Sequence, residues 1–326
     1  MTPVEAQSAA TQRSRAFVAA HLEEALALGR RAGEEAQDAS AIAQTLLEGL
    51  PALADVEALE AERRFAPGIG EVLGVRNALL SAVTRGLRSA TRRDNASTLL
   101  DVADHLQRQA PLELHWLAND LLDRAIRDEP ERAWQLVRRE ARSAGDWISV
   151  DNLAHVVGRG ILAERYRWAE LEQLVYSPSH WERRLVGSTV ATIPFVDRGA
   201  GRTPEIARRG LGLVADLIGD AEPDVQRSLS WALRNLLAVD PGAVIAFLER
   251  EAAEAAEHND GHRAWVIRDT FAKLPADEVQ RLRSTLATVR KQPGAPSTSH
   301  AAAAAASFLG LGVDVPPAER PMIDRS

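Results

Sequence analysis

Ile42-Ala-Gln-Thr-Leu46-Leu-Glu-Gly-Leu50-Pro51-Ala-Leu53-Ala-Asp-Val56-Glu-Ala-Leu59 carries apolar residues at intervals of three and four on both sides of a single proline. That spacing returns to one face of a 3.6-residue helix, whereas a half-buried strand would alternate at two. The same period runs through almost the whole chain, and valine and isoleucine are scattered along helical faces instead of gathering into short β-type runs. An all-α chain is predicted. Breakers such as Pro67-Gly68, Glu129-Pro130, Ser177-Pro178, Glu222-Pro223 and Asp240-Pro241-Gly242 cut the body into helices of roughly 10 to 20 residues.

Many short helices with tight Pro or Gly punctuation predict a HEAT-like solenoid of stacked antiparallel helix pairs, each pair covering the apolar face of the next. A helical bundle is the alternative architecture. Trp147 and Trp181 are 34 residues apart and Trp181 and Trp231 are 50 apart, which predicts degenerate repeats with an enlarged central loop. Composition divides the chain into an acidic helical extension (1–62), a repeat domain (63–290), and a linker, Ala-rich helix and tail (291–326).

The 326 residues, 45% of them hydrophobic, are ample for a buried core. The absence of cysteine excludes disulfides, thiolate metal sites and cysteine nucleophiles. The N-terminus lacks a basic start followed by an apolar core, and no window has the apolar length of a membrane span, so a cytoplasmic address is expected. A net charge of −7 argues against a nucleic-acid partner, but residues 1–60 alone hold ten acids against four arginines. The remainder sums to −1 and is in effect neutral. Its cations are arginines apart from Lys273 and Lys291, and the guanidinium fork suits phosphate.

The main chemical clue is Gly145-Asp146-Trp147-Ile-Ser-Val-Asp151-Asn-Leu-Ala, which sets an indole and a carboxylate one helical turn apart. Asp146 after Gly145 is the natural N-cap, which leaves Asp151 one turn inside without a capping duty. A carboxylate partly enclosed by indole can stabilise a developing cation, although a helical aspartate is more often solvated or salt-bridged. Trp181-Glu-Arg-Arg184 puts Arg184 on the tryptophan's face. Arg227, Trp231 and Arg234 form a stripe of cation, indole and cation, which suits a nucleic-acid backbone or, more commonly, a tryptophan packed under arginine stems. Arg85, Arg88, Arg92 and Arg93 form the densest basic run, a solvated face or a phosphate contact. Glycine-rich phosphate loops, clustered metal ligands and nucleophile elbows are missing from the sequence, so neither metal nor cofactor is expected.

These segments resemble the DNA alkylation repair family, the HEAT-like DNA glycosylases of the AlkD type. Trp147 to Asp151 is similar to the family's segment with a catalytic aspartate and its aromatic partner, and Trp181 to Arg184 is similar to its Trp-x-x-Arg segment. Arg227 to Arg234 is similar to the segment with the second active-site tryptophan. Weaker echoes are Leu73-Gly74-Val75-Arg76 and the helix from Glu113 to Leu122, and the likeness spans about residues 65–275. The resemblance implies excision of positively charged N3- or N7-alkylpurines from double-stranded DNA by a monomer without metal or cofactor. Asp151, Trp147 and Trp231 would then be catalytic, and Arg184, Arg227 and Arg234 would bind DNA. The competing expectation is a non-enzymatic HEAT scaffold that binds protein or structured DNA, since some relatives keep the fold without the activity.

Overall fold

A computed structural model describes residues 3–309. Contacts divide it into two compact units, one up to Val156 and one from Val157. The first holds α1 (Pro3–Glu34), α2 (Ala39–Gly49), α3 (Val56–Phe65), α4 (Asn77–Ala90), α5 (Ala96–Leu106), α6 (Leu112–Ala125), α7 (Pro130–Ser143) and the start of α8 (Trp147–Ala163). The second holds the rest of α8, then α9 (Trp168–Leu174), α10 (His180–Val196), α11 (Pro204–Leu217), α12 (Pro223–Leu236), α13 (Pro241–His258), α14 (Gly261–Asp269), α15 (Ala276–Thr285) and α16 (His300–Leu309). Among the described residues the β-type pairing is confined to one bridge, Ala54 with Val75. The chain is all-α, and no described helix is long and apolar enough to cross a membrane.

The helices start where the sequence punctuates them. Proline opens α7, α11, α12 and α13, where its missing N–H has no intrahelical partner to lose. Asp38, Asp55, Asn95, Thr203, Asp240 and Asp260 cap the following helices with their side-chain oxygens.

Cross-helix hydrogen bonds show the stacking. In the first unit, Arg88 on α4 pairs with Asp120 on α6, 32 residues on, and Arg124 on α6 donates to Thr91 just after α4, 33 residues back. The partner numbers climb together, so α4 and α6 run parallel, with α5 returning between them. The other layer repeats this, with Arg132 on α7 bound to Asp101 on α5 and Arg139 to Asp104, 31 and 35 residues apart. In the second unit, Arg184 on α10 reaches the Asp224 carbonyl on α12 and Asn235 reaches Ala191, while Gln226 and Ser230 on α12 meet His262 and Asp269 on α14. Alternate helices stack in parallel at a recurrent offset, the HEAT-like arrangement that the breakers predict.

The tryptophan spacing was a poor ruler for that repeat. Trp181 is the second residue of α10 and Trp231 the ninth of α12, so their different depths account for 7 of the 50 residues, and the two helix starts are 43 residues apart with α11 and the connections 197–203 and 218–222 between them.

The terminal segments also depart from expectation. The acidic N-terminal residues are part of the first unit. Gly29 of α1 and Gly86 of α4 let the two backbones meet, since a Cβ at Gly29 would lie 2.0 Å from the Val83 carbonyl oxygen and one at Gly86 2.2 Å from that of Leu26. The stretch read as a linker is docked on the second unit: Thr298 N donates to the Gly219 carbonyl at 2.8 Å and His262 Nε2 to that of Ala295 at 3.0 Å. The proline-bearing tail lies outside the described residues.

One buried group organises the loop between α3 and α4. Glu113, 0% exposed at the start of α6, accepts backbone N–H bonds from Leu73 and Gly74 at 2.9 Å and from Val75 at 3.3 Å. Gly74 adopts φ +84°, the left-handed region in which a side chain is strained. The two weaker sequence echoes are thus halves of one contact. Burial, and then the charge of Glu113, push the Glu62 carboxyl from 4.5 up to about 7. Between those values the folded chain keeps a proton that the unfolded chain releases, so stability falls as pH rises through this window and levels off above it. Glu62→Gln should therefore raise the urea midpoint at pH 8, leave it unchanged at pH 4 and flatten the profile between. A slope identical to that of the wild type would assign the pH dependence to other groups.

Candidate active site

α8 begins with the expected cap. Asp146, 4% exposed, accepts from the Ser149 backbone N–H and from Ser149 Oγ, each at 2.9 Å. Both carboxylate oxygens are used, so the helix start is fixed without Asp151. Asp151 follows five residues later and is half-buried. Trp147, also half-buried, donates its indole N–H to the Phe65 carbonyl at 3.1 Å. That bond joins the first turn of α8 to the end of α3.

The bond also locates a residue that the sequence reading missed. The Phe65 side chain is 72% exposed although its carbonyl is tied down, and the exposed Arg63 and Arg64 precede it. An anchored, solvent-facing aromatic next to two cations is a surface able to stack on a base or sugar. Its signal in the sequence was Arg63-Arg64-Phe65-Ala66-Pro67-Gly68, a helix end with an aromatic residue left outside the apolar period.

His155 stands one turn beyond Asp151, and its Nδ1 is 3.6 Å from Asp123 Oδ1 on α6. Asn152 turns its amide back to the Ile148 carbonyl at 3.0 Å.

In the second unit the stripe on α12 is present, with its members differently employed. Arg227 is exposed and 3.3 Å from Asp224, its neighbour one turn earlier. Trp231 is half-buried. Arg234 donates to the Asp269 backbone carbonyl at 2.8 Å and pairs with its carboxylate, which also accepts from Ser230 Oγ. Burial would raise the Asp269 carboxyl, but the bonds from Ser230 and Arg234 outweigh it and hold it below its usual range. Lys291 lies over the Trp265 ring at 5.5 Å, and burial together with Arg227 lowers its pKa. This second pairing of cation and indole was hidden because Lys291 fell in the segment read as a linker.

Arg184 departs most from the reading of it as a DNA contact. It is 5% exposed, and its guanidinium donates to the Asp224 backbone carbonyl at 2.8 Å, near the start of α12. The neighbouring Arg183 pairs with Asp220 at 2.7 Å. Both arginines thus brace α10 against the residues that lead into α12. Among the described residues Glu254, Glu257 and His258 stand close enough to share an ion, but all three are exposed on one helix surface.

In each unit alternate helices stack in parallel, which defines a helical-repeat protein. The profile of the DNA alkylation repair enzyme family matches residues 46–274, and the chain belongs to that family. It is accordingly an enzyme of DNA alkylation repair with DNA as its substrate. No curated protein matches the chain.

Proposed function

We propose that the chain is a DNA glycosylase that excises N3- and N7-alkylated purines, with Asp151 as the group that stabilises the transition state. The observation that supports this reading is the division of labour on α8, where Asp146 makes both capping bonds, so that Asp151, four residues after Trp147, has no capping role. An alkylpurine of this kind already carries a positive charge. When its bond to C1′ breaks, the electron pair leaves with the base and neutralises it, while positive charge builds on the deoxyribose. A nearby carboxylate opposes that charge, and water then adds at C1′ and gives its proton to solvent. The chemistry asks for neither metal nor cofactor.

Trp147 would pack against the sugar, with Phe65 adding aromatic surface from the same unit. In the second unit Trp231 offers an aromatic platform and Arg227 a phosphate contact. Arg234 and Arg184 serve as positioning residues in this scheme, because each is bonded to a neighbouring helix. The test is incubation of the full chain with duplex DNA that contains 7-methylguanine or 3-methyladenine. Free base and an abasic strand are expected in equal amounts. Binding to the duplex without release of either base would replace this reading with that of a non-enzymatic DNA-binding scaffold.

A further inference from the structure

Within the first unit a groove of about 400 Å³ runs between α4, α6 and α8, at the small end of the roughly 300–1,000 Å³ usual for ligand sites. Two of its lining residues are left with unmet hydrogen-bonding capacity. Trp116, 9% exposed, has an indole N–H without an acceptor, and Asn119, 6% exposed, has an amide oxygen without a donor, among the described residues. Buried polar atoms are rarely left in this state, because each forfeits the hydrogen bond that it had in water. Asp123, Asn152 and His155 add polar edges, and Leu80, Ile148 and Val156 add apolar ones.

Arg88 lies on the rim of this groove and also lines an adjoining depression of about 500 Å³, formed with Arg85, Ser89, Arg92 and Arg124. The four cations are not equivalent. Arg88 is matched by a two-pronged bond to Asp120. Arg85 and Arg92 are exposed and form no ion pair among the described residues. Arg124 is fixed by Thr91, donating to its Oγ1 at 2.8 Å and its carbonyl at 2.9 Å, and burial lowers its pKa. The depression thus presents three cations to an incoming anion, beside a groove that lacks one hydrogen-bond donor and one acceptor.

We propose that groove and depression together bind a nucleotide, with an amino-bearing base in the groove and its phosphate against Arg85, Arg92 and Arg124. The amidine edge of adenine or cytosine places a ring nitrogen acceptor next to an amino donor, the complement of the Trp116 indole and the Asn119 oxygen. Leu80, Ile148 and Val156 suit the ring faces, and arginine forks suit the phosphate. On α8 the groove is lined by Ile148, Asn152, His155 and Val156 and not by Asp151, so it adjoins the Asp151 strip at His155 without including that carboxylate.

Isothermal titration of the full chain with 2′-deoxyadenosine 5′-monophosphate tests it, and a release assay for alkylated bases need not be run. Saturable binding below ~1 mM is expected, with deoxyadenosine and inorganic phosphate each at least ~10-fold weaker. The double variant Arg85→Ala/Arg92→Ala should weaken the nucleotide by ~10-fold and leave deoxyadenosine unchanged. Asn119→Leu should weaken both without lowering thermal stability, because it removes an unmatched buried oxygen. Competition by penta-deoxyadenylate would assign the bound nucleotide to a DNA strand, and its absence would assign it to the free nucleotide; both outcomes keep the site. The proposal is overturned by no saturable binding up to about 5 mM, by phosphate binding as tightly as the nucleotide, or by variants that bind like the wild type.

Discussion

Asp151→Asn should reduce the release of 7-methylguanine by ~10²-fold or more at saturating DNA, equivalent to about 2.7 kcal/mol of lost transition-state stabilisation. The substitution keeps size and planarity and removes the charge. Asp151 is half-buried on a helix whose cap is supplied elsewhere. DNA affinity should stay the same or tighten, because a carboxylate near phosphate repels it. A fall in kcat with unchanged or lower Kd is the signature of a group that acts mainly in the transition state. Full activity on a positively charged lesion would remove Asp151 from the mechanism.

The lesion itself sharpens this test. A neutral lesion such as deoxyuridine leaves as a poorer leaving group and gains nothing from its own charge, so the wild type should release it far more slowly. If both lesions were released at equal rates, positive charge on the base would not be what the site exploits.

The fold was legible in the sequence because its causes are local. A 3.6-residue apolar period, proline at the first helical position and aspartate before it each act within one turn, so Pro223 and Pro241 mark the starts of α12 and α13 without knowledge of any partner. The candidate helix was legible for the same reason, since Asp146 as cap and Asp151 one turn inside are consequences of helical geometry. What could not be read is long-range. The Trp147 indole meets a carbonyl 82 residues earlier, and Glu113 meets amides 38 to 40 residues earlier. No periodicity encodes those pairings. Arg184 shows the same limit from the other side: its position relative to Trp181 is fixed by the helix, but its burial against Asp224 depends on how α12 stacks.

The largest expected loss of stability comes from Glu113→Ala. One buried oxygen accepts from Leu73, Gly74 and Val75, and bonds of this kind to a charged acceptor contribute about 1.5–3 kcal/mol each when the donors are otherwise stranded. The three share one acceptor and are not additive, so about 3–5 kcal/mol is expected from chemical denaturation. The damage should spread along the chain. Leu112 N donates to the Glu71 carbonyl at 2.9 Å, the loop from Ala66 to Arg76 is held from both sides, and Phe65 at its start supplies the carbonyl that fixes Trp147. Glu113→Gln separates the two contributions. Its amide oxygen can still accept the three N–H bonds, so most of the stability should remain. Its neutrality removes the charge that helps to raise Glu62, so the loss of stability between pH 4.5 and about 7 should shrink. If Glu113→Ala costs less than about 1 kcal/mol, the loop is held by other contacts and Glu113 does not connect α6 to the Trp147 anchor.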